Sequence, residues 1–263
     1  MSSGYAEALS YLYALEPRGI RLELDRVEEA LALRGAPTRG QRFVHVAGSN
    51  GKGSVSAIVE RALRAGGYRT GLYTSPHLHR FCERVRIDGV PIAEEEVVRR
   101  VDSLRSEPEL PPLTFFEHAT ILAFEAFRDA RVDVVVLEVG LGGRLDATNV
   151  VDPLAVAITN VSLEHQKFLG DSLEQIAFEK AGVLKTGVPA VTGARDPAVV
   201  EVLEERAREV GAPLSFVGRD FGLEGEGEAL LFRSGDGLID RLSIGQGGPW
   251  VRANAEVALA TLL

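Results

Sequence analysis

The chain has 263 residues and a formal net charge of −9, with the 45% hydrophobic and 25% charged content of an ordinary soluble globular protein. The acidic balance argues against a nucleic-acid-binding protein, for which a basic face is expected. Cys82 is the single cysteine, which excludes an internal disulfide and fits a reducing compartment. No apolar run approaches the roughly 20 residues of a membrane span. The N-terminus lacks a signal-peptide pattern, so we expect a cytoplasmic protein with no membrane partner.

Strand-like runs rich in Val, Ile and Leu alternate with helical patterns along the chain. Strands are predicted near 42–47, 69–74, 132–138, 154–159, 188–192 and 213–217. Helices are predicted near 5–14, 24–34, 52–66, 93–105, 115–130, 172–184 and 197–210, with a last helical pattern from about residue 250. This alternation predicts an α/β fold with a doubly wound, mostly parallel sheet. The composition of 106–113 predicts a surface linker, and that of 221–244 predicts small antiparallel strands at one edge of the sheet.

Residues 42–54 read R-F-V-H-V-A-G-S-N-G-K-G-S, an apolar strand followed by a glycine-rich turn and a helical pattern. Backbone N–H groups of such a turn and the helix N-terminus bind phosphate oxygens, while Lys52 neutralises them and the Ser54 hydroxyl can face a metal ion. The strict P-loop pattern is G-x-x-x-x-G-K-[ST], and the stretch departs from it at Val46 and Gly53. A flexible turn with a solvent-facing lysine is the alternative.

Other polar residues follow further predicted strand ends, where ligands bind in such sheets. Glu138 precedes a glycine-rich loop and can hold a Mg²⁺ ion on nucleotide phosphates, the alternative being a carboxylate satisfied by loop backbone. His165 and Ser75 are further candidate ligands at this edge, with a structural histidine and a capping serine as the alternatives. Lys180 lies on a predicted helix, where a lysine is ordinarily a solvated surface residue.

Six segments in order over roughly residues 20 to 190 resemble the Mur ligase superfamily, and more narrowly its folylpolyglutamate synthase / dihydrofolate synthase branch. They read H-V-A-G-S-N-G-K-G-S (45–54), L-Y-T-S-P-H (72–77), T-F-F-E-H-A-T-I-L-A-F (114–124), E-V-G-L-G-G-R-L-D-A-T-N-V (138–150), E-H-Q-K-F-L-G (164–170) and I-A-F-E-K-A-G-V-L-K (176–185). One such match is weak, but six in order are specific.

The resemblance implies ATP-dependent ligation of L-glutamate to dihydropteroate or a folate through an acyl phosphate, with Mg²⁺ required and K⁺ as a further candidate ion. It implies a catalytic set of Lys52, His165 and Lys180, the last as a carbamylated lysine. It implies ATP-binding residues Asn50, Gly51, Lys52, Gly53, Ser54 and Asn254, and metal ligands Ser75, Glu138 and His165. It implies substrate-binding residues Leu24, Asp25, Thr114, Phe115, Phe116, Glu117, Leu145, Asp146 and Ala147. A monomer is expected.

The chain departs from the family pattern in two places. The family's G-x-H-Q-x-x-N-A segment reads G-P-W-V-R-A-N-A at 248–255, which keeps Asn254 but replaces the His-Gln pair by Trp250 and Val251. The helical pattern that ends at Leu263 lacks a closing cap, so we expect a single ATP-binding domain over 1–263 and a C-terminal ligase domain that lies outside this chain. The alternatives are a stand-alone Mg-ATP-binding module and another Mur-type ligase.

Overall fold

A computed structural model describes residues 3–225, 230–235, 237–244 and 248–263. The helices are α1 (Ser3–Tyr13), α2 (Asp25–Leu33), α3 (Lys52–Ala65), α4 (Glu94–Arg105), α5 (Phe115–Ala130), α6 (Gln166–Leu169), α7 (Leu173–Ala181), α8 (Pro197–Val210) and α9 (Pro249–Thr261). The strands are β1 (Phe43–Ala47), β2 (Thr70–Tyr73), β3 (Val85–Ile87), β4 (Val90–Pro91), β5 (Val134–Glu138), β6 (Pro153–Ile158), β7 (Ala190–Thr192), β8 (Leu214–Phe216), β9 (Phe221–Glu224), β10 (Leu230–Ser234) and β11 (Gly237–Leu242). Short 3-10 turns occupy Glu16–Arg18 and Phe81–Arg84.

Eight strands form one large sheet in the order β4-β3-β2-β5-β1-β6-β7-β8. The strands from β2 to β8 in this order pair in parallel, as the apolar runs predict, because both faces of the sheet are covered. The strands β3 and β4 add an antiparallel edge that the sequence reading did not predict. The six predicted strands of this sheet and the eight predicted helices are confirmed, although the helix predicted over 172–184, which is α7, ends at Ala181, and the short helix α6 was not predicted.

Residues of the central strand β1 alternate between the two faces of the sheet. Val44 and Val46 pack with buried residues of α3 and α9, whereas Phe43 packs with α1, α2, α4 and α5 on the opposite face. Ala47 lies on that opposite face too, in a cluster with α7 and α8. The strands β1, β2, β5 and β6 are parallel neighbours, so the loops that follow them lie at one edge of the sheet, where ligands bind in open α/β folds.

The predicted antiparallel strands within 221–244 are confirmed, but they form a separate three-stranded sheet in the order β11-β10-β9 rather than an edge of the large sheet. Phe221 and Phe232 of this sheet pack with Ala260 of α9. Part of the predicted region, 226–229 and 236, lies outside the described residues. The helix α9 therefore lies between the small sheet and the large one.

Candidate functional site

The glycine turn lies between β1 and α3, in the strand–turn–helix arrangement that the phosphate-loop prediction requires. The helix begins at Lys52, whose ammonium Nζ donates hydrogen bonds to the carbonyl oxygens of Gly48 (2.9 Å) and Ser49 (3.1 Å). This side chain folds back over the turn and is half-buried, so the alternative of a solvent-facing lysine does not hold. Ser54 is exposed in the first turn of α3.

Neighbouring segments brace the turn from two sides. Gly51 has a positive φ of 84°, and a Cβ built on it would overlap the amide of Asn254 in α9. Asn254, which the resemblance assigns to ATP binding, therefore lies beside the turn. The backbone N–H of Asn50 donates to Asn160 Oδ1 (3.0 Å), and the Asn50 amide donates to the Ser162 hydroxyl (3.2 Å). The loop after β6 therefore holds the conformation of the turn.

Glu138 ends β5 beside the turn and is 4% exposed. Its Oε2 accepts a hydrogen bond from the Ser75 backbone N–H (3.0 Å), and a Cβ built on Gly53 would lie 3.6 Å from both carboxylate oxygens. Burial raises the pKa of Glu138 to about 7, against the opposing effects of the Ser75 N–H and the charges of Lys52 and Arg84. Within the described residues, Oε1 accepts no hydrogen bond, which fits a carboxylate that has a free ligand atom for a cation.

His165 is exposed at the start of α6 and has a positive φ of 45°. It lines the same cavity as Ser75. In the part of the chain that the structure describes, no three His, Cys, Asp or Glu side chains gather closely enough to hold a metal. A Mg²⁺ ion at Glu138 would therefore need further ligands from a nucleotide and water, as this ion commonly does.

Lys180 is buried in α7, at 1% exposure, and the expectation of an ordinary solvated lysine is wrong. Its ammonium donates to Glu164 Oε1 at 2.6 Å. Burial lowers the pKa of Lys180, although the hydrogen bond and the charge of Glu164 raise it. Burial raises the pKa of Glu164, but Lys180, with smaller contributions from Ser49 and Lys52, lowers it below its usual value.

A cavity of ≈ 430 Å³ opens at the same sheet edge. Seven of the nine predicted substrate residues line it, namely Thr114, Phe115, Phe116, Glu117, Leu145, Asp146 and Ala147. The other two, Leu24 and Asp25, do not: Leu24 precedes α2, Asp25 is exposed in its first turn, and Ile20, Arg21 and Leu22 take this side of the cavity instead. The assignment of Leu24 and Asp25 to the substrate site therefore stays a prediction.

Three of the lining side chains also hold the walls of the cavity in place. Thr114 and Glu117 form a capping box at the start of α5, in which the Thr114 N–H donates to Glu117 Oε2 (2.6 Å). The buried carboxylate of Asp146 accepts hydrogen bonds from the Leu141 N–H (2.8 Å) and the Thr148 hydroxyl (2.6 Å). These side chains therefore fix the backbone around the cavity as well as facing it.

Arg84 lines the cavity and was missed by the sequence reading. It is 7% exposed, its guanidinium carbon lies 5.1 Å from the centroid of the Phe115 ring, and its Nε donates to His77 Nδ1 at 2.9 Å. Among the described residues it forms no ion pair with a carboxylate, so it leaves positive charge at the cavity wall. The nearest signal in the sequence was the L-Y-T-S-P-H match, which ends at His77, seven residues before Arg84.

Within the described ranges, no helix combines the length and the apolarity that crossing a bilayer requires.

Comparison with known proteins places this geometry in a family. The Mur ligase middle domain matches residues 46–220. The chain is 35% identical to a folylpolyglutamate synthase of Lacticaseibacillus casei, over 98% of this chain and 63% of the relative, and 37% identical to a dihydrofolate synthase/folylpolyglutamate synthase of Escherichia coli, over 99% and 61%. The structure of E. coli FolC in complex with DHPP and ADP superposes with a TM-score of 0.87 at 35% identity, over 97% of this chain and 61% of that one. The chain thus spans about three fifths of the length of these relatives, and it belongs to the Mur ligase family.

Proposed function

We propose that this chain supplies the ATP- and pterin-binding part of a ligase that joins L-glutamate to dihydropteroate or to a folylpolyglutamate. The observation that carries the proposal is the position of Ser75 and Glu138. Ser75 lines the cavity, its N–H binds the Glu138 carboxylate, and that carboxylate lies against Gly53 of the phosphate loop. A nucleotide on the loop and a carboxylate substrate in the cavity would therefore have their reacting ends at one place.

In the proposed reaction, a carboxylate oxygen of the substrate forms a bond to the γ-phosphorus of ATP, and the bond to ADP breaks. The amino group of glutamate then attacks the carbonyl carbon of the acyl phosphate, phosphate leaves, and the amine gives up a proton. Phosphoryl transfer depends on positioning and charge neutralisation. Lys52 would neutralise the phosphates, while Asn50, Gly51, Gly53, Ser54 and Asn254 would position them.

The proposal includes Mg²⁺ held by Glu138, Ser75 and His165, which supplies charge neutralisation on the phosphates when bound. Carbamylation of Lys180 is supported by its burial and lowered pKa, and it would convert a cation into an anionic ligand. K⁺ is a second candidate ion, and glutamate is the proposed amine substrate. The proposal takes the chain as a monomer and places it in the cytoplasm, with which a single cysteine is consistent.

The test is calorimetric titration of the folded chain with a non-hydrolysable ATP analogue in Mg²⁺, and with dihydropteroate. Both should bind. Lys52→Ala should weaken nucleotide binding about 10- to 150-fold, because it removes a charge-assisted contact worth about 1.5–3 kcal/mol. Lys167→Ala, at an exposed lysine of α6, is the matched control and should change nothing. A folded chain that binds no nucleotide would refute the proposal.

Two outcomes of the same titrations separate the alternatives. Nucleotide binding without any pterin or folate binding would favour a stand-alone Mg-ATP module. Binding of a peptidoglycan precursor in place of the pterin would favour another Mur-type ligase. The seven lining residues that the resemblance matches to the pterin site support the folate branch.

A further inference from the structure

Arg84 is a buried cation at the wall of the ≈ 430 Å³ cavity. In the part of the chain that the structure describes, its guanidinium donates a single hydrogen bond, to a histidine, and forms no ion pair. A charge that is removed from water is costly unless an opposite charge or hydrogen bonds compensate it. Because this charge faces a cavity, we expect an anionic ligand group to compensate it.

The contacts of the guanidinium hold it in place and leave its terminal amino groups free. The Nε atom donates to His77 Nδ1 at 2.9 Å, and the guanidinium carbon lies 5.1 Å from the ring centroid of Phe115 and 5.8 Å from that of Phe81. Within the described residues, Nη1 and Nη2 have no hydrogen-bond acceptor. Two adjacent N–H donors of this kind match the two oxygens of a carboxylate.

The acidic side chains that line the cavity do not compensate Arg84. Glu117 accepts hydrogen bonds from Arg26 (3.0 Å) and from the backbone at the start of α5. Asp146 accepts hydrogen bonds from its own loop, and Glu16 is exposed to water. The open donors of Arg84 are therefore available to a ligand.

The backbone places Arg84 beside the proposed reaction point. The strands β2 and β3 are antiparallel neighbours, and just beyond their pairing the Thr74 N–H donates to the carbonyl oxygen of Arg84 (3.0 Å). The next residue, Ser75, binds the Glu138 carboxylate through its N–H. The charge of Arg84 also opposes the effect of burial on the pKa of Glu138, so the two side chains interact. A ligand group on Arg84 would thus lie near Glu138 and the phosphate loop.

We infer that Arg84 binds the substrate carboxylate that receives the γ-phosphoryl group. The inference rests on the proposed function, which puts the pterin in this cavity and the phosphates on residues 48–54. The carboxylate and the triphosphate are both anions and repel each other, so a cation beside the carboxylate lowers the cost of bringing them together. The ammonium of Lys52 already contacts two carbonyl oxygens of the loop. A carboxylate held by two N–H donors keeps a lone pair on each oxygen for attack on phosphorus.

The competing role for Arg84 is packing alone, in which the side chain only fills the space beside Phe81 and Phe115. A packing role would affect every ligand of the cavity equally. A carboxylate contact would affect only ligands that carry the carboxylate. Dihydropteroate and its carboxamide separate the two roles, since the amide keeps the pterin and the aromatic ring and loses the charge.

The experiment is calorimetric titration of both ligands in Mg²⁺ and a non-hydrolysable ATP analogue. The wild type should bind dihydropteroate about 10- to 150-fold more tightly than the carboxamide, the range expected of a charge-assisted contact. Arg84→Met should abolish this preference and change the carboxamide affinity much less, and Arg84→Lys should keep part of the preference, because lysine retains the charge without the fork. Arg86→Met is the matched control: Arg86 is the next arginine along the chain, is not among the residues that line the cavity, and its loss should leave the preference intact.

Every other result overturns a stated part. Equal affinity of the wild type for the two ligands would refute the contact without any variant, so a variant that fails to fold does not protect the inference. A folded Arg84→Met that loses both ligands equally and keeps the preference would refute it in favour of packing. A folded wild-type chain that binds neither pterin ligand would refute the proposed function, and the contact at Arg84 with it.

Discussion

Removal of Lys180 and removal of Glu164, which form a buried ion pair, should have very different effects on the free energy of unfolding. The two charges lie 2.6 Å apart, with 1% of the lysine side chain and 22% of the glutamate side chain exposed. At an effective dielectric constant of about 20, unit charges at this distance attract by about 6 kcal/mol. The pKa of Lys180 is nevertheless lowered, so burial, together with the like charge of Lys52, opposes the charge of Lys180 more strongly than Glu164 favours it.

This imbalance sets the expected free energies of unfolding. Lys180→Met replaces the buried cation by an apolar side chain of similar length, and Glu164 can still reach water. The free energy of unfolding at pH 7 should therefore change by less than about 1 kcal/mol or should rise. Glu164→Leu leaves the ammonium buried without its partner and should lower the free energy of unfolding by about 3 kcal/mol, at the low end of the cost of breaking a buried pair.

Urea denaturation of both variants measures the asymmetry, with Lys167→Met as an exposed-lysine control that should stay within about 0.5 kcal/mol of the wild type. The folded pKa of Lys180 lies below its unfolded value, so the unfolded chain binds the proton more readily between the two values. The stability deficit of Glu164→Leu should accordingly shrink as the pH rises toward the ordinary lysine range. Equal losses in Lys180→Met and Glu164→Leu would refute the reasoning.

Three further predictions concern the cavity and the neighbouring core. Gly140→Ala should place a methyl group against the ring of Phe116 and lower the free energy of unfolding, measured in urea, by about 1–3 kcal/mol. It should also weaken pterin binding and leave nucleotide affinity unchanged. Asp146→Asn should lower the free energy of unfolding by about 1–3 kcal/mol, because an amide cannot accept all the hydrogen bonds of this carboxylate. Burial and the charge of Arg18 lower the pKa of His118 to about 4, so stability should fall by about 3 kcal/mol as the pH drops from about 6.5 to 4. His118→Gln should remove that loss in denaturation series across this pH range.

The sequence was most predictive where a segment is long and apolar. The apolar sequence of β5 correctly indicated a buried strand, and the glycine turn before Lys52 correctly indicated a strand–turn–helix unit. The hairpin of β3 and β4 was missed because its strands have three and two residues. A signal was present, since Asp88-Gly89 supplies two positive φ angles of 50° and 77°, which is the requirement of a tight hairpin turn.

The buried side chains of the site were harder to predict. Lys180 lies four residues after Ile176, on the face of α7 that also buries Ala177, so helical spacing could have placed it in the core. Its partner Glu164 comes from a loop, and no local pattern in the sequence links the two. Arg84 likewise depends on a distant contact, the ring of Phe115, which only the folded chain brings together.

The position of α9 between the two sheets ties their unfolding together. This helix contacts α3 and β6 on one side and β9 and β10 on the other, and its Asn254 reaches the turn at Gly51. A small antiparallel sheet has marginal stability by itself and depends on the surface that covers it. Free energy gained by a ligand at the turn would therefore also slow the opening of β9 and β10, so amide hydrogen exchange in the small sheet would report on occupancy of a loop that it does not touch.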